Sequence, residues 1–135
     1  MSRITLALWG AYALFVPAAF WWGWEARPLA FDGRLPAVKV ALYAVWLLFL
    51  AYSLHVSRQE DILVGLRRIG QIPWGRQVGL DLYAGLSLFL LVVGLHSGSP
   101  WIALAWLVPT YLFGNLSPLL WFAIHWDALV ARLAG

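Results

Sequence analysis

Four apolar stretches, at residues 4–22, 37–56, 78–95 and 101–126, dominate this chain. Each approaches the roughly 20 residues needed to cross about 30 Å of hydrocarbon. Charged residues make up 11% of the 135 positions, against about a quarter in soluble domains, and the connections leave no room for a separate soluble unit. The expected fold is an all-α integral membrane protein, a four-transmembrane-helix bundle forming one polytopic domain over residues 1–135.

The segment from Pro109 to His125 organises the rest. It carries two prolines, a glycine, an asparagine and a histidine within an apolar run. At 3.6 residues per turn Tyr111, Asn115, Pro118, Phe122 and His125 share one face. Hydrocarbon offers such groups no partners, which places the segment inside the bundle. Pro118 removes the amide that would bond the Gly114 carbonyl and predicts a kink beside Asn115. The plainer role for Asn115 is an interhelical bond, to Ser87 or Tyr43. The alternative is recognition of a polar group on a lipid or polyisoprenoid, with Tyr111, Asn115, Pro118 and Phe122 as the binding face.

The other spans have their own signatures. The first ends in Trp21, Trp22 and Trp24, suited to a membrane–water boundary. The second bears a stripe of Ala41, Ala44, Ala51 and His55 fit for close helix contact, and Lys39 in its first turn is expected to snorkel to head groups. Between spans two and three, Ser57 and Glu60 fit a capping box ahead of Ile62, Leu63, Leu66 and Ile69. This predicts a short amphipathic helix lying in the interface and ending at Gly70. The short turn at residues 96–100 makes spans three and four a hairpin.

Four crossings put the N-terminus, the long loop and the C-terminus on one side. That side has Arg3, Arg58, Arg67, Arg68, Arg76 and Arg132 against Arg27, Arg34 and Lys39 opposite. The basic excess predicts both termini in the cytoplasm of a bacterial inner membrane. It also explains the pI without nucleic acid as a partner.

Absence of cysteine excludes disulfides and thiolate metal sites. There is no phosphate-binding glycine loop, G-x-S-x-G or H-E-x-x-H, and no histidine–carboxylate spacing of a metal motif. Under the four-span topology His55, Asp81 and His125 share one depth. Three readings compete for them: a polar cluster fixing helix register, a proton-transfer site with Asp81 as base and a histidine as acid, and a b-type haem on His55 and His125.

The runs WGRQVGLDLYAG and PWIALAWLVPTYLFGNLSPLL resemble the small four-helix membrane family of the plant abscisic-acid-deficient protein implicated in neoxanthin formation. Asp81, Leu82, Gly85, Pro109, Phe113, Gly114, Leu119 and Leu120 carry the likeness, over roughly the last 60 residues. The family has proline directly after the glycine, where this chain has Asn115. The resemblance implies a carotenoid- or isoprenoid-associated membrane protein. The polar, kinked inner face of span four and the small-residue faces of spans two and three set the leading expectation: an accessory protein holding a lipid-like or isoprenoid molecule, in the bilayer and in company with a membrane-protein partner or a second copy. The alternative is an isomerase using Asp81, His55 and His125 on a lipophilic substrate.

Overall fold

The computed structural model describes residues 1–134, all-α and without a strand among them. Helix α1 covers Arg3–Trp22, α2 Pro36–Gln59, α3 Ile62–Gly70, α4 Pro73–Ser97, α5 Pro100–Phe113 and α6 Leu116–Leu133. Helices α1, α2 and α4 are long and apolar enough to cross a membrane. Their ends follow local chemistry. The Ser2 hydroxyl accepts from the Thr5 amide at the start of α1, while α2, α4 and α5 each begin with a proline, whose missing N–H costs nothing in a first turn.

The fourth apolar stretch departs from expectation. It is two helices that reverse direction, not one kinked span. Gly114 takes φ +60° and ψ −136°, a backbone state that glycine reaches at little cost. Its carbonyl accepts from the Ser117 amide. Pro118 then sits in the first turn of α6, where it removes no helical hydrogen bond. Helix α5, with 14 residues, rises only about 21 Å, and α6, with 18, about 27 Å.

Side-chain contacts fix the reversal. Descending α5 runs antiparallel to α4: Gly94 packs beside Ala103, Phe89 meets Trp106, and Tyr83 donates to the Tyr111 carbonyl at 3.0 Å. Helix α6 then climbs parallel to α4, with Phe89 on Trp121 and His96 beside His125 and Arg132. The C-terminal segment thus returns to the end where α5 began. The two chain ends lie at opposite ends of the helix bundle.

Helix α6 is the core. Leu116, Ser117, Pro118, Leu120, Trp121, Ala123 and Ile124 are all buried, which agrees with placing this segment inside the bundle. Its entry is seated on α1 and α2. The Trp46 indole donates to the Tyr12 hydroxyl (3.1 Å), which donates to the Leu116 carbonyl (3.4 Å). The Phe113 ring lies 4.7 Å from both Trp9 and Tyr12. The far part of α6 is clasped by the α1–α2 connection. The Lys39 ammonium, fully buried, donates to the Asp127 carboxylate and to the carbonyls of Arg27 and Ala30. Snorkelling by Lys39 is therefore corrected: an internal carboxylate and two carbonyls satisfy it better than head groups would.

Two smaller expectations change. Ala41, Ala44, Ala51 and His55 are exposed, and α2 packs through Lys39, Trp46 and Ser57 instead, because α1 and α6 approach from that face. The Ser57–Glu60 capping box does not form: Ser57 belongs to α2 and accepts from the Trp9 indole at 2.9 Å. The amphipathic helix itself is present as α3, ending at Gly70 as read.

Candidate functional site

The reversal at Gly114 relocates the histidines. His125 lies at the end of the bundle where α1 and α4 finish, with its ring centroid 5.4 Å from that of His96. His55 is near the other end, where its Nε2 faces the Gln59 side-chain amide at 3.1 Å. Asp81 is exposed on α4 and makes no hydrogen bond or ion pair among the described residues. The structure therefore does not bring together His55, Asp81 and His125, and the common depth assigned to them is corrected. The cause is a single one: α6 runs opposite to the direction a fourth crossing would take. A haem between His55 and His125 has no shared plane here.

The proposed binding face splits as well. Tyr111 is on α5, where its hydroxyl pairs with Ser87 at 2.7 Å. Asn115 is exposed at the hairpin tip and caps nothing. Pro118 is buried, and half-buried Phe122 packs on Phe89 and Trp121. The suggested partners of Asn115 are engaged elsewhere, Ser87 with Tyr111 and Tyr43 with the Pro28 carbonyl.

What the fold does assemble is a cavity of about 460 Å³. Ala19 and Trp22 of α1, Gly23 just past its end, His96 and Ser97 of α4, Ile102 and Trp106 of α5, and Trp121, His125, Ala128 and Arg132 of α6 line it, with Glu25 and Ala26 from the 3₁₀ turn that follows α1. Its volume lies in the range of small-molecule sites, about 300–1,000 Å³. Of the lining residues Ala19, Trp106 and Trp121 are buried, Glu25 and Arg132 are exposed, and His96 and His125 are half-buried.

Local geometry holds the imidazoles in place. The Arg132 guanidinium lies 3.4 Å from His96 Nδ1. A guanidinium can only donate, so that nitrogen accepts and the neutral His96 ring carries its proton on Nε2. Trp121 sits edge-on to both rings, at 5.4 Å from His96 and 4.7 Å from His125. A Cβ on Gly23 would fall 2.5 Å from the Ile124 side chain and 3.0 Å from the His125 ring, so only glycine lets the end of α1 approach α6 this closely. His125 Nδ1 is buried without a hydrogen-bond partner. Among the described residues no group of three or more metal-ligating side chains converges.

Sequence reasoning had His125 and missed its neighbour His96, which in turn meets Arg132. These are grouped by the turn at Gly114, and a hydropathy profile carries no sign of such a reversal. A second cavity of about 290 Å³ lies under the hairpin tip, lined by Trp9, Phe49, Ser57, Ile62, Phe113 and Leu116 among others; it is apolar apart from serine and tyrosine hydroxyls. Comparison with known protein families, with characterised proteins and with solved structures found no match to this chain.

Proposed function

We propose that this chain is a small integral membrane protein that holds a lipid-like amphiphile between its helices, as an accessory or binding component of the bilayer. In this reading α1, α2 and α4 cross the membrane, and the α5–α6 hairpin enters and leaves from one face. The observation that carries the proposal is the 460 Å³ cavity, which joins indole and aliphatic walls to a mouth of Arg132, His96, His125 and Glu25. Such a gradient from apolar to charged along one cavity suits a molecule with a polar head and a hydrocarbon body. A cavity this size takes the head and the start of the chains, and the exposed apolar surfaces of α1 and α5, including Leu14, Trp101 and Leu104, accommodate the remainder. An isoprenoid or carotenoid with a polar end group fits the same description, in keeping with the resemblance of the C-terminal half.

The test is mass spectrometry of what co-purifies with the protein in detergent, with an absorption spectrum of the same sample. Ala128→Phe narrows the cavity from the α6 side. An amphiphile retained by the wild type and lost from this folded variant supports the reading. Equal retention by both overturns it. Three-peaked absorption in the blue would identify the occupant as a carotenoid.

A further inference from the structure

Two opposite charges face the same cavity without neutralising each other. The ion pairs among the described residues are Arg27–Asp32, Lys39–Asp127 and Arg68–Glu60. Glu25 and Arg132, both lining the cavity, are in none of them. Among the described residues Arg132 makes one hydrogen bond, to a neutral imidazole nitrogen, and no ion pair. Glu25 stands on the 3₁₀ turn at the mouth, one residue from Trp24 and three from the cavity-lining Trp22.

We propose that the cavity binds a zwitterionic phospholipid head group, with the phosphate toward Arg132 and the two histidines and the ammonium toward Glu25 and the Trp22 indole. The proposal rests on the reading of the cavity as an amphiphile site and names the head group it selects. Arginine suits phosphate because its planar fork offers several donors at once. The His96 ring adds an N–H donor through its Nε2, since its Nδ1 accepts from Arg132. The carboxylate decides the class. With Glu25 present, a purely anionic head meets repulsion at the mouth and a purely cationic one meets Arg132. A head with both charges matches both groups, and an indole face adds attraction for the ammonium.

The experiment uses the full chain in nanodiscs containing equal amounts of phosphatidylethanolamine and phosphatidylglycerol, with bound lipid counted by native mass spectrometry. Wild type should be enriched in phosphatidylethanolamine by about threefold or more, the scale of one exposed ion pair. Glu25→Gln, a surface change that leaves the core untouched, should erase that enrichment and raise phosphatidylglycerol. Arg132→Gln should reduce both lipids. Equal retention of the two lipids by the wild type, or an unchanged ratio in Glu25→Gln, overturns the head-group assignment; if Ala128→Phe still displaces lipid, the amphiphile reading stands without it. If Ala128→Phe displaces nothing, both fail together.

Discussion

The Lys39 ammonium and the Asp127 carboxylate meet at 2.8 Å across 88 positions of sequence, and this pair joins the start of α2 to the returning end of α6. Lys39 is wholly buried and Asp127 largely so. Gly33 makes room for the carboxylate, since a Cβ there would lie 2.5 Å from Asp127 Oδ1. The carbonyls of Arg27 and Ala30 complete the shell around the ammonium.

Breaking one side of this pair should be far worse than removing both. Lys39→Met keeps an unbranched side chain but strands Asp127 and two carbonyls, at an expected loss of about 3–5 kcal/mol. Lys39→Met combined with Asp127→Leu should recover much of that loss, because no buried charge is left alone. Unfolding of Lys39→Met, of Asp127→Leu alone and of the double variant in mild detergent measures the difference. Additive losses in the double variant would show that the pair is not coupled.

The direction of α6 has a direct consequence for topology. Because the chain has no cysteine, single cysteines at Ser2, Gly98 and Ala134 can be labelled without background. A maleimide that cannot cross the membrane should reach positions 98 and 134 from one side and position 2 from the other. If positions 98 and 134 label from opposite sides, α5 and α6 form a crossing and the hairpin is wrong in the bilayer. Moving Arg132 to the far side also reduces the basic excess, so charge counting alone no longer orients the chain.

The first three spans were legible because each is a long apolar run, although α4 begins at Pro73, ahead of the expected start at residue 78. The burial of residues 116–124 was legible too, from polar groups that hydrocarbon cannot satisfy. The reversal at Gly114 was not. Hydropathy sums over a break as readily as over a helix, and a glycine at positive φ looks in sequence like one inside a helix. Everything that depends on that residue was misplaced with it: the neighbours of His125, the surroundings of Asn115 and the end of the bundle at which α6 finishes. Lys39 was misread for a different reason. A lysine in a first turn has the same spacing whether it snorkels outward or turns in to a carboxylate 88 residues away.

Two glycines separate backbone strain from helix propensity. Gly114→Ala places a side chain at φ +60°, ψ −136° and should cost about 1–3 kcal/mol, though nothing lies within 4 Å of the added carbon. Gly85→Ala, within α4 and equally free of neighbours, should stabilise by about 0.5–1 kcal/mol. Opposite signs in thermal unfolding would confirm the turn. A stabilising Gly114→Ala would place that residue in a continuous helix.

The N-terminus is held by a carboxylate, which makes its docking sensitive to acid. Asp61 accepts from the Ser2 amide at 3.0 Å and from the Thr5 hydroxyl at 3.1 Å, linking the start of α1 to the start of α3. The Ser2 backbone N–H is the main cause that holds the Asp61 pKa below its usual value, with the Thr5 hydroxyl adding to it. A carboxylate with a depressed folded pKa contributes stability above its unfolded value, about 3.9. That contribution is lost as pH falls through the lower folded value. Protection of the Thr5 amide against hydrogen exchange, corrected for the intrinsic rate, should therefore stay level from neutral pH down to about 4 and decline below it. Asp61→Asn should show reduced protection at neutral pH and no such decline. A decline beginning well above the carboxylate range would implicate a different group in holding the terminus.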